Sequence, residues 1–167
     1  MKILIIFLTG ILIFPWLAWT DSNAFQITSA VFGNNEAIPK KYTCDGNGIN
    51  PPLTIEGTPK EAKTLVLIID DPDAPRGTFD HWVVWNIPAS TNKIGENTVP
   101  GKEGINGAGQ PSYMGPCPPG GTHRYFFKVY ALDMELNLGM NSRKKDIEKA
   151  MQSHIIAKGE LIGLYTR

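Results

Sequence analysis

Apolar, β-branched and aromatic residues gather at 25–32, 64–70, 82–87, 125–132 and 160–164, separated by glycine, proline and asparagine clusters, and this rhythm predicts a β-rich fold. Leu65-Val66-Leu67-Ile68-Ile69 and Trp82-Val83-Val84-Trp85 are apolar at every position, so both are expected to be central strands covered on each face. One helix is predicted near the C-terminus. Ser142 offers an N-cap, Ile147, Ala150, Met151, His154 and Ile155 fall at i, i+3, i+4, i+7 and i+8, and Gly159 supplies a stop. His154 on that stripe reads as a packing residue rather than a ligand. Arg143-Lys144-Lys145 reads as a solvated helix start, poorly matched to the helix dipole. The glycine-rich stretch 96–112 has no apolar periodicity and is expected to be a long surface loop.

The first residues follow a different pattern. Lys2 supplies a positive n-region, residues 3–19 are apolar, and Ser22-Asn23-Ala24 places small residues where a signal peptidase reads them. Residues 1–24 are therefore expected to be a signal peptide, with 25–167 as the exported domain. The competing reading, an uncleaved membrane anchor, is disfavoured because the run falls short of the roughly 20 residues that span a bilayer. Gly10 and Pro15 also interrupt it. No stable membrane insertion is expected once the leader is removed.

The chain of 167 residues fits one domain, and its 42% hydrophobic and 19% charged content is that of an ordinary globular protein. Basic and acidic residues number 16 each, so no overall field steers the protein toward nucleic acid or an anionic surface, and any anion recognition must be local. Cys44 and Cys117 are the only cysteines. An exported pair can bridge, which would stabilise the domain by about 4 kcal/mol through loop-closure entropy. Two separate buried thiols are the alternative, since spacing alone does not supply the Cα separation.

Two short segments carry the chemistry. The first is Asp70-Asp71-Pro72-Asp73-Ala74-Pro75, running on to His81-Trp82. It ends an apolar strand on a turn stiffened by two prolines, which suits a carboxylate lining a pocket. Asp71 is the pocket candidate, whereas Asp70 and Asp73 suit turn-capping roles, because three adjacent carboxylates cannot all serve one anion. The second segment is Gly115-Pro116-Cys117-Pro118-Pro119-Gly120-Gly121, followed by Thr122-His123-Arg124-Tyr125. Its glycines allow close approach of the backbone, and the missing Gly-Lys-Ser/Thr excludes a nucleotide P-loop. His81 and His123 each open a strand, so both imidazoles are expected at one rim, where they can donate to phosphate oxygens. Arg124 should point to the opposite face and pair, buried or half-buried, with an aspartate of the first segment, while Tyr125 returns to the His123 face. Cys117, between prolines, is a poor nucleophile candidate. Zinc on Asp71, His81 and His123 is the sharper alternative, disfavoured because the ligands are scattered singly.

Taken with Tyr42-Thr43-Cys44-Asp45-Gly46 and Asn50-Pro51-Pro52-Leu53, these segments resemble the phosphatidylethanolamine-binding protein family, in its bacterial and archaeal Raf-kinase-inhibitor-like branch. The resemblance spans about residues 27–167. It implies a mainly β fold, a large antiparallel sheet packed on a smaller one with a few peripheral helices, and a small cavity for phosphate, phosphorylated headgroups or similar anions. Carried over residue by residue, it implies a lining of Asp71, Asp73, Pro75, His81, Gly115, Pro119, His123 and Tyr125. The stretch Gly109-Gln110-Pro111-Ser112-Tyr113-Met114-Gly115 departs from the Gly-Tyr-Gly-Gly pattern common in relatives, which puts the cavity rim in question at Ser112 and Met114. The chain stops at Tyr165-Thr166-Arg167 without the eukaryotic C-terminal extension, so kinase regulation is not carried over.

The expectation is thus an exported, non-catalytic binding protein, periplasmic or secreted, with no cofactor and no metal. Its partner would be a small phosphate-type anion or a phospholipid headgroup. The alternative is an interaction module that inhibits a protease or other hydrolase through the 96–112 loop, and a homodimer is left open. A hydrolase using His81 or His123 as general base with Asp71 as orienter is weaker still, because no serine sits in a Gly-x-Ser-x-Gly turn.

Overall fold

The computed structural model describes residues 24–167, so the expected signal peptide, residues 1–24, lies outside the described residues except for Ala24. Nine strands and one α-helix follow in order: β1 Gln26–Ser29, β2 Glu36–Ala37, β3 Leu53–Glu56, β4 Thr64–Asp71, β5 Phe79–Pro88, β6 Lys93–Ile94, β7 Lys102–Glu103, β8 Thr122–Leu132, α1 Lys144–Met151 and β9 Ile155–Thr166. A single 3₁₀ turn, Lys40–Tyr42, precedes Cys44. A six-stranded sheet has the order β2-β9-β8-β4-β5-β7, antiparallel except where β2 joins β9, and a three-stranded sheet has the order β1-β3-β6.

All eight residues of β4 are buried, and their alternation divides the interior. Leu65, Leu67 and Ile69 meet Trp82, Val84, Phe127, Val129 and the small sheet's Ile27, Leu53 and Ile55. Val66 and Ile68 meet Val83, Trp85, Leu132 and the apolar side of α1, Ile147 and Met151. Asp70 and Asp71 continue the same alternation, Asp70 on the helix side and Asp71 on the small-sheet side.

Asp70, whose side chain is 1% exposed, accepts from Lys128 Nζ at 2.9 Å and from Lys144 Nζ at 2.5 Å, and Lys144 also reaches Asp80 at 3.2 Å. Desolvation alone would depress the Lys144 ammonium, but the hydrogen bond and charge of Asp70, with Asp80 behind it, outweigh it and raise its pKa. Lys144 is therefore not part of a solvated helix start: it pins the first residue of α1 to the sheet. Asp70 is likewise an ion-pair centre rather than a turn cap.

The helix is shorter than its apolar stripe suggests. Its N-cap is Arg143, not Ser142, with the Asp146 carboxylate accepting the Arg143 N–H at 2.9 Å. It ends at Met151. His154 lies in the connecting turn, bonded to Asp133 at 2.9 Å, and Ile155 already pairs with Leu132. The ladder between β8 and β9 outweighs a third helical turn. Gly159 is no stop: it sits in β9 opposite Val129, where a Cβ would come within 3.0 Å of the Gln26 backbone. The 96–112 stretch is interrupted by β7, which extends the large sheet beside Val84 and Trp85.

Replacing both Lys128 and Lys144 by methionine would strand a buried carboxylate, and is expected to cost about 3–5 kcal/mol. Urea unfolding checks this. The double variant should lose more than either single variant, because each lysine still compensates Asp70 when the other is removed.

Candidate functional site

The end of β4, the start of β5, the start of β8 and the proline loop between β7 and β8 enclose a cavity of about 170 Å³. Asp71, Ala74, Pro75, Phe79, His81, Met114, Cys117, Pro118, Pro119 and His123 line it. Of the residues anticipated there, Asp71, Pro75, His81, Pro119 and His123 are brought together.

Asp71 and His123 form the polar base. Asp71 Oδ2 accepts a hydrogen bond from His123 Nδ1 at 2.7 Å, with both side chains at most 10% exposed. Asp71 Oδ1 accepts the Asp73 N–H at 2.8 Å, so this carboxylate both closes the turn after β4 and orients a histidine.

His81 reaches the cavity through a bulge. Ile69 pairs with Trp82 but Asp70 pairs with Asp80, leaving His81 as the extra residue of β5. Phe79, His81 and Trp82 consequently share the small-sheet side of the large sheet, and His81 lies within the strand rather than opening it. Its Nδ1 donates to the Met114 carbonyl at 2.7 Å, and the Met114 N–H returns a bond to the His81 carbonyl at 2.9 Å. Burial pushes the His81 pKa below its ordinary 6.5, against the opposing pull of the Met114 carbonyl and of Asp71, Asp70 and Asp80. A neutral ring with Nδ1–H committed to a carbonyl has its lone pair on Nε2, so at neutral pH His81 is an acceptor.

Three anticipated residues do not line the cavity. Asp73 turns to Arg124, which approaches it through its backbone N–H and Nε at 2.9 Å and Nη2 at 2.7 Å. These bonds hold the Asp73 carboxyl down to about 2. The stabilisation is present above its ordinary 3.8 and is lost as pH falls through about 2. Arg124 does point away from His123, but its side chain is 53% exposed, so the pair is a surface bridge. Gly115 is buried behind the cavity wall, where a Cβ would meet the Thr43 backbone at 2.9 Å. Tyr125 is fully buried, its ring edge-on to His81 at 5.1 Å, and its hydroxyl makes no hydrogen bond among the described residues. Burial, followed by the charge of Asp71, raises its pKa.

The remaining walls, Ala74, Phe79, Met114, Cys117 and Pro118, make the mouth apolar. Phe79 packs edge-on to His81 at 4.9 Å. Its position two residues before His81, with matching strand parity, was the available signal for it. Cys117 bonds to Cys44, with Cα atoms 5.4 Å apart and a sequence separation of 73. Among the described residues no three His, Cys, Asp or Glu side chains converge closely enough to hold a metal ion.

The profile of the family described as phosphatidylethanolamine-binding protein matches residues 28–166. A UPF0098 protein of Pyrococcus horikoshii is 55% identical over 149 residues, covering 83% of this chain and 75% of the relative. One from Methanothermobacter thermautotrophicus is 47% identical over 150 residues, covering 85% and 99%. Among solved structures, a phosphatidylethanolamine-binding protein homologue of Chlamydia trachomatis superposes with a TM-score of 0.85 at 43% identity, covering 87% of this chain and 99% of that one. Escherichia coli YbcL does so with 0.80 at 28%, covering 86% and 98%.

The depressed His81 pKa sets a sign. Unfolded His81 binds its proton near 6.5 and folded His81 only at lower pH, so the folded state loses stability as pH falls below 6.5. Urea midpoints at about pH 5.5 and 7.5 are expected to differ less in His81→Gln, which keeps a donor for the Met114 carbonyl but does not titrate.

Proposed function

Because the chain belongs to the phosphatidylethanolamine-binding protein family, we propose that it is an exported, non-catalytic binding protein whose cavity takes one small anion, a phosphate monoester or phosphorylated headgroup. The observation that carries this reading is the pair of histidines with both Nδ1 atoms engaged, His123 by Asp71 and His81 by Met114. Each imidazole has only Nε2 left to meet a ligand. The small volume limits the occupant's polar end to about the size of one phosphoryl group, and the apolar rim suits an organic substituent on it. The lining offers no serine or threonine hydroxyl, and its one cysteine is in a disulfide, which supports binding rather than turnover. The disulfide also favours an oxidising compartment, in keeping with the leader.

Anion binding on this reading takes up a proton. Neutral His81 offers a lone pair where the ligand needs a donor, so a proton enters either at His81 Nε2 or on the phosphoryl oxygen facing it. Affinity for phosphoethanolamine is expected to rise as pH is lowered from about 7.5 to 5.5, while His81 makes the free protein less stable below 6.5. Titration calorimetry in buffers of different ionisation enthalpy reads the uptake directly, and a value of zero at neutral pH would count against the site. His81→Ala and His123→Ala should each weaken binding by about 1–3 kcal/mol, and full affinity in the double variant would overturn the reading.

A second reading is supported by the segment after β7. Buried Asn106 organises it, with Oδ1 accepting the N–H groups of Ala108 and Gln110 at 2.9 and 3.0 Å and Nδ2 donating to the Ser112 carbonyl at 2.9 Å. Residues 107–112 are exposed on this braced loop and so are accessible to a hydrolase. Inhibition of a protease that survives the double histidine substitution but is lost in Asn106→Ala would favour this use of the molecule over the anion site.

A further inference from the structure

The wall of the cavity formed by residues 115–119 is held in an unusual way. Pro116, Pro118 and Pro119 carry no N–H, which leaves this segment few donors with which to pair to a neighbouring strand. Its attachments include the Cys44–Cys117 bond, one hydrogen bond from the Cys44 N–H to the Pro116 carbonyl at 3.0 Å, and the close seat of Gly115 on Thr43. Immediately before it, Met114 holds the His81 ring. The residue whose sulfur anchors the segment, Cys117, also lines the cavity.

The surroundings of the bond differ at its two ends. Cys44 is exposed while Cys117 is half-buried, so an incoming thiolate meets Cys44 first. Arg167 Nη1 donates to Cys117 Sγ at 3.4 Å. Arg167 is itself held by Asp45, with its Nε 3.2 Å from Oδ2, and by two backbone bonds with Gly121 at 3.0 and 3.3 Å. A guanidinium beside the leaving sulfur favours its departure as thiolate.

We propose that the Cys44–Cys117 disulfide is a redox-operated latch on the cavity, opened by a dithiol reductant. One thiolate of the reductant attacks Cys44 Sγ, forming a mixed disulfide, and the Cys44–Cys117 bond breaks with its electron pair leaving on Cys117 Sγ beside Arg167. The reductant's second thiolate then attacks its own bonded sulfur and releases Cys44 as a thiolate. Two electrons and two protons pass from the dithiol, which leaves as a disulfide, to the two cysteines. With the covalent anchor gone, the proline segment loosens, Met114 no longer holds the His81 tautomer, and the cavity loses its anion. The latch rests on the anion-site reading for its consequence, not for its chemistry.

The test uses protein purified after export, with dithiothreitol as reductant and inorganic phosphate as probe. The expected result is reduction while the near-ultraviolet circular dichroism stays that of the folded protein, slowed several-fold in Arg167→Gln. The Met114 amide should exchange at least about tenfold faster, and phosphate should bind about tenfold more weakly, to the reduced protein. A bond that resists millimolar dithiothreitol in the folded state, or an Arg167→Gln variant reduced at the unaltered rate, overturns the opening step. Reduction that unfolds the whole domain also overturns the latch, because the bond is then a staple. Equal phosphate affinity in both redox forms overturns the latch and leaves the anion site standing. Absence of phosphate binding to the oxidised protein defeats the anion reading instead, and Met114 exchange then decides the latch: unchanged exchange overturns it and faster exchange sustains it.

Discussion

Two adjacent carboxylates at the end of a wholly buried strand must both be compensated, and they face opposite sides of the sheet. Asp70 draws in Lys128 from β8 and Lys144 from α1, while Asp71 draws in His123 from β8. An uncompensated charge at either position would cost several kcal/mol, comparable to the whole stability of a small domain. The two ion clusters therefore fix α1 on one face of the large sheet and the base of the cavity on the other. The same requirement that docks the helix also orients the histidine.

The cavity adds two further constraints to that base. A bulge at His81 places its imidazole on the Asp71 side, and the Met114 carbonyl then selects the tautomer. The disulfide seats the proline segment that carries the opposite wall. Each device supplies what the sheet ladder cannot: a change of side-chain parity in one case, an anchor for backbone depleted of N–H groups by three prolines in the other. The resulting site is polar at its floor and apolar at its mouth, and the Nδ1 atoms of both histidines are committed before any ligand arrives. This preorganisation reduces the side-chain ordering that a ligand would otherwise have to drive.

Local pattern was a good guide where one physical term dominates. The unbroken apolar runs of β4 and β5 could only be central strands, and strand parity correctly sent Arg124 away from His123 toward an aspartate of the first segment. It misled where long-range pairing competes with local preference. The stripe from Ile147 to Ile155 has helical spacing, yet its last member belongs to β9, because pairing with Leu132 begins a long ladder. Lys144 looks like a solvated cation until α1 is laid over Asp70. Asp73, next to the cavity in sequence, is captured by Arg124, a partner 51 residues away.

The chain alone points to the long strands β4, β5, β8 and β9 and singles out Asp71, His81 and His123 as candidates on proline-stiffened turns, because these follow from hydrophobic periodicity and backbone restriction within a few residues; the short strands β2, β3, β6 and β7 carry no such local signal. Which aspartate meets which cation, which way His81 faces, where the helix ends and whether the two cysteines join depend on strands brought together from distant parts of the chain. Those outcomes turn on distances of a few ångströms between groups that are dozens of residues apart, and only the folded arrangement of the two sheets supplies them.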